Sequence, residues 1–228
     1  MKLAPPRHSL LVALLLASGL CHAQGWNYPG WRDTPAVRVK AQALLQTLNA
    51  ELLAGSSATR TLQQWCDEHR MANPARIRAL RDSQTRKEAD ETVRRQLQAK
   101  PDERIGYRRV QLVCGERVLS EADNWYLPSR LTPEMNQALD HSDVPFGIAV
   151  RALNFRRQTE QVKLLWSPLP AGWEMKMPAL PPTTGQLEIA PQVLQHRAVL
   201  YQAGNVPFSV VVETYQRDVF AFALDGEK

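Results

Sequence analysis

Residues 208–215 constrain the fold more than any other stretch of this chain. Phe208-Ser209-Val210-Val211-Val212-Glu213-Thr214-Tyr215 is a run of β-branched and aromatic side chains with no helix former of note. Such a run reads as a strand buried on at least one face. Residues 198–202 precede it, separated by Ala203-Gly204-Asn205, which reads as a turn between two antiparallel strands. A second pair has the same layout. Residues 104–114 and 118–127 flank Gly115-Glu116, and Pro128 ends the second of them. The pattern predicts two further strands at 147–156 and 162–166.

Helices precede and interrupt these strands. Thr34-Pro35 supplies an N-cap and a proline at the first helical position, and Val37, Ala41, Leu44, Leu45, Leu48 and Leu52 follow at helical spacing until Gly55. That spacing predicts a helix over 35–54. Ser57 caps a second helix carrying Leu62, Trp65 and Cys66. Residues 83–99 are highly charged with a thin stripe of Ala89, Val93 and Leu97, the pattern of a solvated helix. Thr132-Pro133 opens a short helix over 132–139. The expected class is α+β, one antiparallel sheet with helices packed on it. With no repeat and no clean boundary, residues 24–228 are expected to form a single domain. Six prolines at 168, 170, 178, 181, 182 and 191 mark an insertion at about 167–192, expected as a long surface excursion.

The chain begins with a signal-like segment. Lys2 and Arg7 precede an apolar run over residues 9–20, and Cys21-His22-Ala23 offers a cleavage site before Gln24. Residues 1–23 are therefore expected to be a signal peptide and the protein periplasmic or secreted. The run is too short for an ordinary membrane-spanning helix, and no second apolar stretch of membrane length follows. Of the remaining cysteines, Cys66 and Cys114 form either one disulfide, as an oxidising compartment permits, or two buried thiols. The formal charge of +5 is too small to imply a nucleic-acid partner.

Catalytic motifs are missing from the sequence. It has no G-x-S-x-G, H-E-x-x-H, C-x-x-C, Walker or G-x-G-x-x-G pattern, and His69, His141 and His196 lack ligand spacing. No metal and no organic cofactor is expected. Asp140-His141-Ser142-Asp143 reads as a polar loop, because a triad is assembled from separate elements. Strand alternation groups Arg109 with Tyr107, Gln111 and Val113, and Arg108 with Val110 and Leu112. Glu213 groups with Ser209, Val211 and Tyr215. A carboxylate after three valines needs a partner or a ligand, and Arg109, with its planar fork, is the expected complement. The alternative is a purely structural Arg–Glu pair.

Four patches then resemble chorismate pyruvate-lyase, a family that splits chorismate into 4-hydroxybenzoate and pyruvate. Ser57-Ala58-Thr59-Arg60 resembles its S-[ML]-T-[KR], and Arg108-Arg109-Val110-Gln111-Leu112 resembles its strand [VL]-R-E-[VI]-L-L. Val144-Pro145-Phe146-Gly147 resembles T-P-L-G, and Arg197 through Val212-Glu213-Thr214 resembles the closing strands. The matches span roughly residues 40–217. The resemblance implies the chorismate lyase-like fold and these roles: Arg109 holds the ring carboxylate, Glu213 contacts the 4-oxygen, and Ala58 and Phe146 line the acid site. Both Arg109 and Glu213 would then be catalytic.

The sequence departs from the family on the second strand. Asp123-Asn124-Trp125-Tyr126-Leu127-Pro128 stands where the family has G-R-[ST]-V-x-P, so Asn124 replaces an arginine that binds the second carboxylate. Arg197 or Arg151 is left to compensate. Asn124, Trp125 and Tyr126 instead line a pocket or pack as a twisted strand. The implied partner is a small aromatic or pre-aromatic carboxylic acid, with lyase activity, non-catalytic binding and an envelope-interaction role as the three readings. An exposed patch of Trp26, Tyr28 and Trp31 would favour the last. The sequence sets no oligomeric state.

Overall fold

The computed structural model describes residues 28–55, 57–176 and 185–224. The signal-like segment 1–23 and Trp26 lie outside them. Six strands form one sheet in the order β1-β2-β3-β6-β5-β4, and every neighbouring pair is antiparallel. The strands are β1 (Ile77–Asp82), β2 (Gly106–Cys114), β3 (Arg117–Tyr126), β4 (Arg156–Leu164), β5 (Gln192–Gln202) and β6 (Val206–Gln216). The class is α+β, as the alternation and turn signals predict.

Helix α1 (Pro35–Ala54) has the predicted bounds. The Thr34 side chain accepts from the Val37 amide at 3.2 Å, and Val37, Ala41, Leu45, Leu48 and Leu52 are buried against the sheet. Helix α2 (Ala58–Glu68) buries Leu62, Trp65 and Cys66 on the same side. The Ser57 N-cap makes no side-chain capping bond there. Cys66 is joined to Cys114 by a disulfide, tying α2 to the end of β2. The opposite sheet face carries α3 (Glu91–Leu97), whose Val93 and Leu97 pack with Trp125, Val199 and Val210. It is shorter than the predicted 83–99, because Asp90 caps it and residues before it have few apolar groups to bury.

The structure corrects several expectations. The stretch 147–156 is not a strand. Pro145 starts a single helical turn, α5 (Phe146–Ala149), and only from Arg156 does the chain extend, so 147–156 and 162–166 give way to the one strand β4. Strand β1 has no counterpart in the sequence reading, because it is an edge strand with only Ala79 fully buried. The insertion is more than a surface excursion in its described parts. Leu169, Leu187 and Ile189 are buried, and Leu187 donates its amide to the Trp31 carbonyl. Trp31 itself is fully buried and donates Nε1–H to the Phe222 carbonyl at 2.7 Å, so it cannot contribute to an exposed aromatic patch. The short helix α4 (Pro133–His141) is capped by Thr132, as predicted.

Candidate functional site

Register decides which charged residues meet. Ala122 pairs with Val110 on one side and Glu213 on the other, while Asp123 pairs with Arg109 and Val212. Because successive side chains alternate, Glu213 faces the α1–α2 side and Arg109 faces the α3 side. The expected Arg109–Glu213 pair therefore does not form. Arg109 donates to Glu121 at 2.6 Å and to Asp123 at 3.2 Å, with Asp82 at 3.7 Å. Asp123 also receives Tyr107 Oη at 2.6 Å and Lys87 Nζ at 2.5 Å. Burial and this carboxylate push the Tyr107 phenol above its ordinary range. Arg197 lies on this face too, bound to Gln96 Oε1 at 2.6 Å.

Arg157 of β4 takes the place expected of Arg109. Its Nη2 lies 2.5 Å from Glu213 Oε2, both side chains are about nine-tenths buried or more, and its Nη1 donates to Thr159 Oγ1 at 2.7 Å. Tyr215 Oη donates to the same Glu213 oxygen at 3.2 Å. Burial, and secondarily the Glu213 charge, raise the Tyr215 phenol well above its usual value. Glu213 Oε1 has no partner among the described residues. Sequence reasoning missed Arg157 because it fell just past the expected strand 147–156, in a stretch with no apolar alternation.

A cavity of about 60 Å³ opens beside this pair. Its floor is the sheet, with Val110, Ala122, Asn124, Val211, Arg157 and Glu213. Its roof is the start of α2, with Ser57, Ala58 and Thr59, together with Pro145, Phe146 and Gly147. Thus Ala58, Phe146, Asn124 and Glu213 converge as the sequence proposed, and Arg109 and Arg197 do not. Asn124 is 3% exposed, and no hydrogen bond holds its side-chain amide among the described residues. The Ser57 side chain does not cap α2 and its carbonyl takes the Arg60 and Thr61 amides, so the Thr59 N–H lacks its ordinary N-cap acceptor and the Ala58 N–H, at the first helical position, has no intrahelical one. These donors, the positive end of the helix and the open Glu213 oxygen suit a small anion that also carries a hydroxyl.

Arg108 shapes the roof without lining the cavity. It is 2% exposed and donates to the carbonyls of Leu139, Ser142 and Val144 at 3.1, 3.0 and 2.8 Å. It thus binds the negative end of α4 and fixes the segment that delivers Pro145 and Phe146. Tyr126 packs against Phe146 on this side, with ring centroids 5.5 Å apart, whereas Trp125 points to the α3 side.

The aligned relative is 49% identical over 193 residues, which cover 84% of this chain and 81% of the relative. It is the uncharacterized protein y4mC of Sinorhizobium fredii (strain NBRC 101917 / NGR234). The chain belongs to the y4mC family. No family model matches it. Among solved structures, the y4mC-family chain is similar to PhnF from Mycobacterium smegmatis, at 13% identity and a TM-score of 0.49 over 76% of this chain and 70% of that one. It is also similar to a GntR-family transcriptional regulator from Enterococcus faecalis V583, at 14% identity and a TM-score of 0.41 over 65% and 99%.

Proposed function

We propose that this protein binds a small hydroxylated carboxylic acid, aromatic or pre-aromatic, in the chamber between the sheet and the start of α2. The observation that carries this reading is Asn124. The residue is 3% exposed, its amide opens onto the chamber, and it takes no hydrogen bond from the described residues, so it offers a donor and an acceptor to whatever fills the chamber. Here it shares a chamber with uncapped helix N–H groups and the Arg157–Glu213 pair. The acid's carboxylate accepts from Asn124 and the N–H groups of Ala58 and Thr59, and its hydroxyl donates to Glu213. The anchor is thus reassigned from Arg109 to these groups. The protein acts after export, a reading supported by the signal-like segment and by a disulfide that suits an oxidising compartment.

Isothermal titration with 4-hydroxybenzoate tests the reading. Saturable binding to the wild type and its loss in Asn124→Leu support it, and no binding to the folded wild type overturns it. A second reading, chorismate lyase activity, is favoured by the open Glu213 oxygen. In that reaction the bond from the ring carbon to the ether oxygen breaks, the ring loses a proton and aromatises, the departing enolpyruvate takes up a proton to become pyruvate, and the pair serves by positioning and charge balance. Equal release of pyruvate and 4-hydroxybenzoate from chorismate, lost in Glu213→Gln, would establish it. Binding without release leaves the binding function alone.

A further inference from the structure

The two oxygens of Glu213 have different surroundings. Oε2 is held twice, by Arg157 Nη2 at 2.5 Å and by Tyr215 Oη at 3.2 Å, while Oε1 takes no hydrogen bond from the described residues. The terminal torsion of a glutamate is soft, so a carboxylate with one donor turns about that contact. Here two donors reach the same oxygen from different strands, Arg157 from β4 and Tyr215 from β6, and together they fix the plane of the group. Oε1 is thereby a preset acceptor. A ligand hydroxyl that meets it does not bear the cost of ordering the carboxylate.

Tyr215 is itself firmly placed. It stands two residues beyond Glu213 on β6 and on the same face of the sheet. Its side chain is fully buried in the core beneath α1 and α2, between Ser120 of β3 and Leu194 of β5. Its ring meets His196 edge-on with centroids 5.5 Å apart, and His196 Nε2 lies 2.9 Å from Asn49 Oδ1 of α1. Burial raises its phenol well above the ordinary range, so at ordinary pH the hydroxyl keeps its proton for Glu213. Arg157 is tethered too, through Thr159 Oγ1 at 2.7 Å. Tyr215 does not line the chamber, whereas Glu213 and its small β3 partner Ala122 both do.

We infer that Tyr215 is a positioning residue that sets specificity: by fixing the Glu213 carboxylate it makes the chamber select acids whose hydroxyl is free to donate over acids that carry only an acceptor there. This inference rests on the chamber reading above. The test compares 4-hydroxybenzoate with 4-fluorobenzoate, which is close to it in size and charge but offers no donor. Both are titrated calorimetrically into the wild type and into Tyr215→Phe, whose ring fills the same space. The wild type is expected to bind 4-hydroxybenzoate at least about tenfold more tightly than 4-fluorobenzoate. In Tyr215→Phe, 4-fluorobenzoate is expected to stay within about twofold of its wild-type affinity while 4-hydroxybenzoate weakens at least about fivefold. A tyrosine that only packs the core would lower the thermal midpoint and leave the ratio of the two affinities unchanged. That result overturns the inference and leaves the chamber reading intact. Equal binding of both acids by the wild type overturns the inference together with the Glu213 contact, and binding of neither overturns the chamber reading itself.

Discussion

His196 is a buried imidazole under α1, and its chemistry is set by what surrounds it. Its Nε2 lies 2.9 Å from Asn49 Oδ1, its ring meets Tyr215 edge-on at 5.5 Å, and Nδ1 is buried without a partner among the described residues. Burial, reinforced by the charge of Arg157, pulls its pKa down from 6.5 to about 4. The unfolded chain therefore binds the extra proton first as pH falls. Stability is full above the ordinary histidine range and is lost as pH drops from 6.5 toward 4, by on the order of 3 kcal/mol. Denaturant melts across that window should show this slope in the wild type and a clearly shallower one in His196→Gln. The sequence marked His196 only as a histidine without ligand spacing, since nothing local foretells that Asn49 of α1 will meet it. Arg109 failed for a related reason. Its neighbours along β2 were sorted correctly, but which face meets Glu213 depends on the β2-β3-β6 register, which strand alternation alone does not supply.

At the scale of elements, the legible parts were those with local punctuation. Thr34-Pro35 and Gly55 bound α1, Thr132-Pro133 starts α4, and Gly115 and Gly204, both at positive φ, turn the two hairpins. The illegible parts were edges. Strands β1 and β4 face solvent along one side, so charged residues replace the alternating pattern that marks a half-buried strand. Short apolar runs such as Gly147-Ile148-Ala149-Val150 are ambiguous between strand and helix, and Pro145 tips this one into α5. That turn leads to a prediction. Gly147 has an ordinary helical backbone and only Ser57 and Phe155 nearby, so Gly147→Leu should fold with no loss of thermal midpoint. It should nevertheless crowd the chamber that Gly147 lines and weaken 4-hydroxybenzoate at least about tenfold by calorimetry. Unchanged affinity would mean that ligands sit elsewhere.

Across the whole molecule, the sheet divides the charge into two systems. The α3 face holds Arg109 in a network of carboxylates, a structural arrangement that leaves no side of the guanidinium facing the chamber. The α1–α2 face holds the chamber, and the Cys66–Cys114 disulfide, at a sequence separation of 48, closes a loop that includes β1. Removing that link with Cys66→Ala/Cys114→Ala should lower unfolding stability by about 4 kcal/mol, measured by denaturant titration. The resemblance read from the sequence found four of the chamber's residues, Ala58, Asn124, Phe146 and Glu213, because each lies in a short motif. Arg157 was out of reach, since it enters only when β4 pairs with β5 and sets it beside Leu200. The most direct test compares two single substitutions in a calorimetric titration with 4-hydroxybenzoate. Asn124→Leu should abolish binding while Arg109→Ala, folded though less stable, should bind as the wild type does. Loss of binding in Arg109→Ala with retention in Asn124→Leu would contradict the account and return the anchor to the other face of the sheet.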